Sequence, residues 1–156
     1  MAKDSFLDYL PIPANNIFRI RGEDNPSVEA GRYDEIVRQF VPSFQNIPQF
    51  DFIMLGLGED GHTASIFPGD LHLFISDRLF EVAVNPQTKQ KRITVTGKMI
   101  NHARNILFLV TGESKAEMVA RIIKKREGWE KLPASLVHPE KGELLWLLDE
   151  KAAAKL

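Results

Sequence analysis

Residues 50–55 are almost uninterrupted apolar residues, and within the next six positions the chain meets three glycines, Gly56, Gly58 and Gly61. A short continuous apolar run of this kind fits a strand covered on both faces in a parallel sheet, and glycines at its carboxyl end predict a turn. Open α/β sheets bind their ligands at that end. The segment 50–69, FDFIMLGLGEDGHTASIFPG, therefore predicts an α/β fold with a functional loop, in which His62 stands beside the carboxylates Glu59 and Asp60.

The remainder alternates between strand and helix patterns. Residues 16–20 read as a short strand. Asn25-Pro26-Ser27 then supplies helix-start chemistry for Tyr33, Ile36, Val37, Phe40 and Val41 at helical spacing, and Pro42 ends that helix. Pro68 and Gly69 leave room for only about two helical turns after Gly61. Residues 79–84 and 92–96 read as two more strands, and Asn105–Val110 as a buried one carrying Phe108 into the core. Ser114 and Glu117 have the spacing of a capping box, opening a helix with Ala116, Val119, Ala120 and Ile123 on one face. Glu143–Leu148, with Trp146 in the core, closes the series. Strands separated by helices predict a largely parallel sheet flanked by helices, with residues 1–156 as a single α/β domain and no linker.

Composition removes several classes of function. With 156 residues, 44% of them hydrophobic, the chain is large enough for a sizeable core. A formal net charge of −1, with Lys and Arg spread along the sequence, predicts no nucleic-acid or membrane-surface partner. There is no cysteine, so neither disulfides nor thiolate metal sites can form. The opening residues lack a signal-peptide pattern and no apolar run reaches the roughly 18 residues of a membrane span, so the expectation is a soluble cytoplasmic protein. His62, His72, His102 and His138 show no metal-ligand spacing, and neither metal nor cofactor is expected. His72 and His102 read as surface or helix-end residues.

Gly56-Leu57-Gly58-Glu59-Asp60-Gly61 satisfies the dinucleotide pattern G-x-G-x-x-G, with Asp77 and Glu81 at a ribose-binding distance. Glu59 and Asp60 would, however, set negative charge where a pyrophosphate must sit, and the following helix would be too short. Hydrolysis suits the loop better: an imidazole can take a proton from water, and exposed amides can hold an oxyanion. Asp60 is placed to orient His62. The plainer reading is that His62 caps a short helix and Asp60 satisfies turn amides. Two residues suit an anion: Arg92, projecting from the strand RITVT, and Lys115, a cation set against the positive end of a helix. Taken alone, each is more readily read as a solvated surface charge.

The loop GLGEDGHTASIFPG closely resembles the signature of 6-phosphogluconolactonases, and MAKDSFLDYLPIPANNIFRI, KRITVTGKMIN, FLVTGESKAEMV, LPASLVHP and LLWLLDEKAA resemble successive segments of the same family. The resemblance implies a Rossmann-like fold and hydrolysis of 6-phosphogluconolactone to 6-phosphogluconate in the pentose phosphate pathway, without a cofactor. It implies His62 as general base with Asp60 beside it, Gly58 and Gly61 as substrate-binding loop positions, and Arg92 and Lys115 as phosphate-binding residues. The related glucosamine-6-phosphate deaminases resemble DGHIAFNEP at this loop, with a Glu before the proline. Here Phe67 precedes Pro68, and Phe accepts no hydrogen bond from an imidazole.

Relative to that family the chain opens well inside the fold, so it is expected to supply the C-terminal two-thirds, N-terminally truncated. Two further expectations follow: poor hydrolysis by this chain alone, and self-association through an exposed sheet edge. The alternative to an enzyme is a catalytically silent sugar-phosphate-binding or assembly module.

Overall fold

The computed structural model describes residues 2–156. A single helical turn, α1 (Ala2–Ser5), and two 3-10 turns lead to residues 17–20, which are irregular rather than the expected strand. Side chains of the next helix satisfy this segment in place of a ladder. The Tyr33 hydroxyl donates to Phe18 O at 3.0 Å, Arg32 donates to Arg19 O at 3.3 Å, and the Arg21 N–H donates to Glu29 at 2.7 Å. That helix, α2 (Pro26–Phe40), starts as the sequence predicts, with Asn25 accepting from the Ser27 and Val28 amides, and it ends at Val41 ahead of Pro42.

Two minimal strands follow, β1 (Ser43–Phe44) and β2 (Ile47–Pro48), joined through Gln45 and Asn46, both at positive φ. The predicted strand over 50–55 is reduced to β3 (Ile53–Leu55). Its leading residues are tied instead to the chain entering a later strand: Phe50 O accepts from the Arg104 amide, and Asp51 O from the Asn105 side chain, both at 2.9 Å. β4 (Phe80–Val84) and β5 (Lys91–Val95) pair antiparallel as a separate hairpin, so two of the predicted strands lie outside the parallel sheet. Then come α3 (Gly97–Asn101), β6 (Asn105–Val110), α4 (Ala116–Ile123) and β7 (Glu143–Leu148).

β3, β6 and β7 form a three-stranded parallel sheet in that order, with Leu55, Phe108 and Trp146 in register. On one face Leu55, Ile106, Phe108 and Val110 pack with Val119, Ile122, Leu144, Trp146 and Leu148, and the Phe108 and Trp146 rings stack with centroids 4.1 Å apart. In the last turn of α4 Ala120 and Ile122 are buried, whereas the predicted Ile123 is exposed. The capping box does not form either. A 3-10 turn, Glu113–Lys115, precedes the helix, and α4 has no side-chain cap.

The opposite face of this sheet is bare. Phe52, Met54, Leu109, Leu145 and Leu147 are 43–62% exposed. The crossovers from β3 to β6 and from β6 to β7 advance the strand order in one direction, and right-handed connections then fall on one face only. Parallel sheets are ordinarily covered on both faces. A second cluster joins α2 to the hairpin through Val37, Leu79, Phe80 and Met99, and Phe50 and Val95 pack against both clusters. His102 caps the end of α3 as expected, but it is buried, with Nε2 2.9 Å from Phe44 O. Among the described residues no helix is long and apolar enough to cross a membrane.

Candidate active site

The chain leaves β3 at Gly56 and folds into a turn held largely by its own hydrogen bonds. The Gly58 amide donates to His62 O at 2.8 Å and the Gly61 amide to Gly58 O at 3.0 Å. Thr63, fully buried, donates its hydroxyl to Gly56 O at 2.9 Å. No helix follows Gly61; residues 63–66 close through a bridge between Thr63 and Ile66, with Ala64 at φ +50°. His62 therefore caps nothing. The turn is pinned from outside at two points: the Ser65 amide donates to Thr94 Oγ1 of β5 at 3.1 Å, and Gly61 O accepts from the Ala134 amide at 3.0 Å.

Asp60 and His62 meet as the sequence predicts. Asp60 Oδ1 accepts from the His62 amide at 3.0 Å and lies 2.6 Å from His62 Nδ1. Partial burial works against ionisation of Asp60, but the His62 amide and imidazole outweigh it and hold the carboxyl below the usual aspartate range. With Nδ1 donating to the carboxylate, Nε2 is the ring nitrogen left to accept a proton. The imidazole also packs 4.8 Å from the Phe67 ring, which is buried, so the residue before Pro68 contacts the histidine without offering it an acceptor.

Gly58 is fixed by the same geometry. A Cβ there would lie 2.1 Å from His62 Nδ1 and 2.7 Å from Asp60 Oδ1, so the ring crosses the space that any side chain would need. Gly61, at φ +84°, faces Leu132 instead. Its amide, like those of Gly58 and His62, is spent on shaping the turn.

Gly58, Glu59, Asp60, His62, Phe67 and Lys115 line one pocket of about 410 Å³ together with the hairpin turn Asn85, Pro86 and Gln87. Lys115 Nζ lies 3.6 Å from Glu59 Oε1, and the Ser114 side chain stands near the same carboxylate. Those contacts hold the Glu59 carboxyl below the ordinary glutamate range. Of the sequence-predicted residues, the structure thus gathers Gly58, Asp60, His62 and Lys115. Arg92 lies elsewhere, on a neighbouring depression with Ile20, Arg21, Asp24 and Ser65, and its guanidinium has no hydrogen-bond or ion-pair partner among the described residues.

Sequence reasoning missed the contribution of Asn85–Gln87 to the pocket and the contact of Glu59 with Lys115. The first had a legible signal: Asn85 Oδ1 accepts from the Gln87 and Thr88 amides at 2.9 Å, an Asx turn between two strand-like runs. A larger depression of about 620 Å³ beside Trp129 and Trp146 is mostly apolar and has no carboxylate in its lining.

The family model described as glucosamine-6-phosphate isomerases/6-phosphogluconolactonase matches residues 1–146. A 6-phosphogluconolactonase of Haemophilus influenzae is 41% identical over 150 residues, covering 96% of this chain and 62% of that protein. The human 6-phosphogluconolactonase is 39% identical over 155 residues, covering 96% of this chain and 58% of its own length. The solved 6-phosphogluconolactonase of Trypanosoma brucei superposes with a TM-score of 0.83 at 28% identity, covering 99% of this chain and 66% of that one. The chain thus spans about three-fifths of the length of these two sequence relatives. With residues 1–146 under the family model and the parallel sheet shared with solved members, the chain belongs to the glucosamine-6-phosphate isomerase/6-phosphogluconolactonase family.

Proposed function

We propose that this chain carries the histidine side of a 6-phosphogluconolactonase active site. The observation that carries the reading is the Asp60–His62 pair, 2.6 Å apart, at the edge of a pocket that also holds Lys115. Asp60 fixes the ring so that His62 Nε2 takes a proton from water as the water oxygen bonds to the lactone carbonyl carbon. When the tetrahedral intermediate collapses, the bond from the carbonyl carbon to the ring oxygen breaks. The ring oxygen leaves as a hydroxyl, taking its proton from the imidazolium, and the product is the open-chain acid. Lys115 holds the phosphate, and Arg92 is the second anchor in this proposal, swinging in from β5 to reach it. Phe67 favours the lactonase over a deaminase, because a partner acid for the histidine is lacking at that position.

A lactonase assay of this chain beside one extended to the length of its relatives tests the reading. His62→Ala in the active context should lower turnover by about 10²–10⁴, the usual worth of a positioned general base, with much smaller change in affinity. Near-normal turnover in that variant would remove His62 from the mechanism.

We further read residues 1–156 as one domain, since Phe50 and Val95 contact both core clusters. A phosphorylated sugar acid points to the cytoplasm as the place of work. The bare sheet face favours a second property, self-association, because an apolar surface of this kind next to the free edges of β3 and β7 invites a partner.

A further inference from the structure

One charged group in the pocket is used neither by the hydrolytic chemistry nor by the turn. Among the described residues the Glu59 carboxylate forms its ion pair with Lys115, and its side chain is 66% exposed, so it fills no space that the fold requires. Yet the ammonium it engages lines the same pocket and is what an anionic substrate would need there. A carboxylate tethered a few residues from the histidine competes for it at high effective concentration. Its exposure keeps the grip weak, since exposed ion pairs add little net stability, and a ligand bearing two charges can therefore break it.

We propose that Glu59 is an intramolecular placeholder for the substrate's phosphate: its carboxylate holds Lys115 in the binding arrangement while the pocket is empty, and a dianionic phosphate displaces it. The inference rests on reading the pocket as a sugar-phosphate site. It makes Glu59 a specificity-determining residue, because a singly charged or neutral ligand gains too little from Lys115 to evict it. A fixed supporting role, in which Glu59 stays in place and merely aims Lys115, predicts the opposite response to its removal.

The test titrates inorganic phosphate into the full chain and into Glu59→Gln and Glu59→Asp at constant ionic strength, following Lys115 and His62 by NMR. Glu59→Gln should bind phosphate roughly five- to tenfold more tightly, the sum of a released ion pair and a removed like charge. Glu59→Asp keeps the charge but withdraws it by one methylene from Lys115, and it should share most of the gain. Unchanged or weaker binding in Glu59→Gln would overturn the placeholder, as would a gain in Glu59→Gln that Glu59→Asp does not share, which would show repulsion alone. A parallel lactonase assay separates the two readings. Tighter phosphate binding without turnover in any length of chain would leave the placeholder standing and the lactonase fallen. Turnover with phosphate affinity indifferent to Glu59 would do the reverse.

Discussion

Gly58→Ala probes the geometry of the proposed site without altering a group proposed to react. In the folded chain the new Cβ would sit 2.1 Å from His62 Nδ1, 2.3 Å from Cε1 and 2.7 Å from Asp60 Oδ1. To restore ordinary van der Waals contact the ring must withdraw by roughly 1.3 Å or more, which breaks the 2.6 Å contact to Asp60. Displacements of about 1 Å at a reacting group cost on the order of 10²-fold in rate, and loss of the orienting carboxylate adds to that. Stability should change little, because the obstructing atoms belong to a partly exposed side chain that can move aside. The assay combines turnover in a lactonase-competent chain with NMR titration of Asp60, whose carboxyl should rise back toward its ordinary value once the imidazole leaves. Wild-type turnover together with an unshifted Asp60 would refute the reasoning, since it would mean that the ring need not lie where the structure has it.

Lys115→Ala and Arg92→Ala should each weaken a sugar phosphate by about 1.5–3 kcal/mol, the scale of hydrogen bonds to charged groups, and should leave an unphosphorylated lactone unaffected; equal losses for both ligands would point to a folding role. Glu29, 1% exposed and bonded to Arg32 and the Arg21 amide, should destabilise the fold by roughly 1.5–3 kcal/mol as Glu29→Gln, measured by urea unfolding. Arg32 holds the Glu29 carboxyl below its ordinary value, so this contribution is present above about 4.5 and is lost as pH falls through the lower folded value; an acid-unfolding profile identical in Glu29→Gln would contradict it. Light scattering should find the chain self-associated, and Leu145→Lys with Leu147→Glu should shift it toward monomer; a wild-type monomer would remove the bare face as a contact surface.

Where an element carries its own pattern, the sequence made it legible. α2 has Asn25 and Pro26 at its start and Pro42 past its end, and the bounds of β6 and β7 match residue for residue because each apolar run is flanked by polar residues. The failures lie where tertiary partners decide. Residues 17–20 look extended but give their polar groups to α2, and Ser114 has capping-box spacing yet sits inside a 3-10 turn that leads into an uncapped α4. Local spacing could not reveal either outcome. In the pocket, Asp60 and His62 were readable because they stand two positions apart in a turn whose glycines were visible. Lys115 was readable from its awkward place near a helix start, while its contact with Glu59 joins segments more than fifty positions apart. Arg92 shows the converse: a strand position predicts that a side chain projects, but not toward which hollow.

The histidine turn hangs from β3, a strand of three residues with one neighbour. Strands so lightly paired open more readily than the body of a fold, so the order of the turn is set by local equilibria far smaller than the global stability. Anything that occupied the free side of β3 would slow its amide exchange and hold the Asp60–His62 pair closed for a larger fraction of the time. Assembly and chemistry would then be thermodynamically linked, and by reciprocity a ligand seated on His62 would tighten whatever pairs with β3.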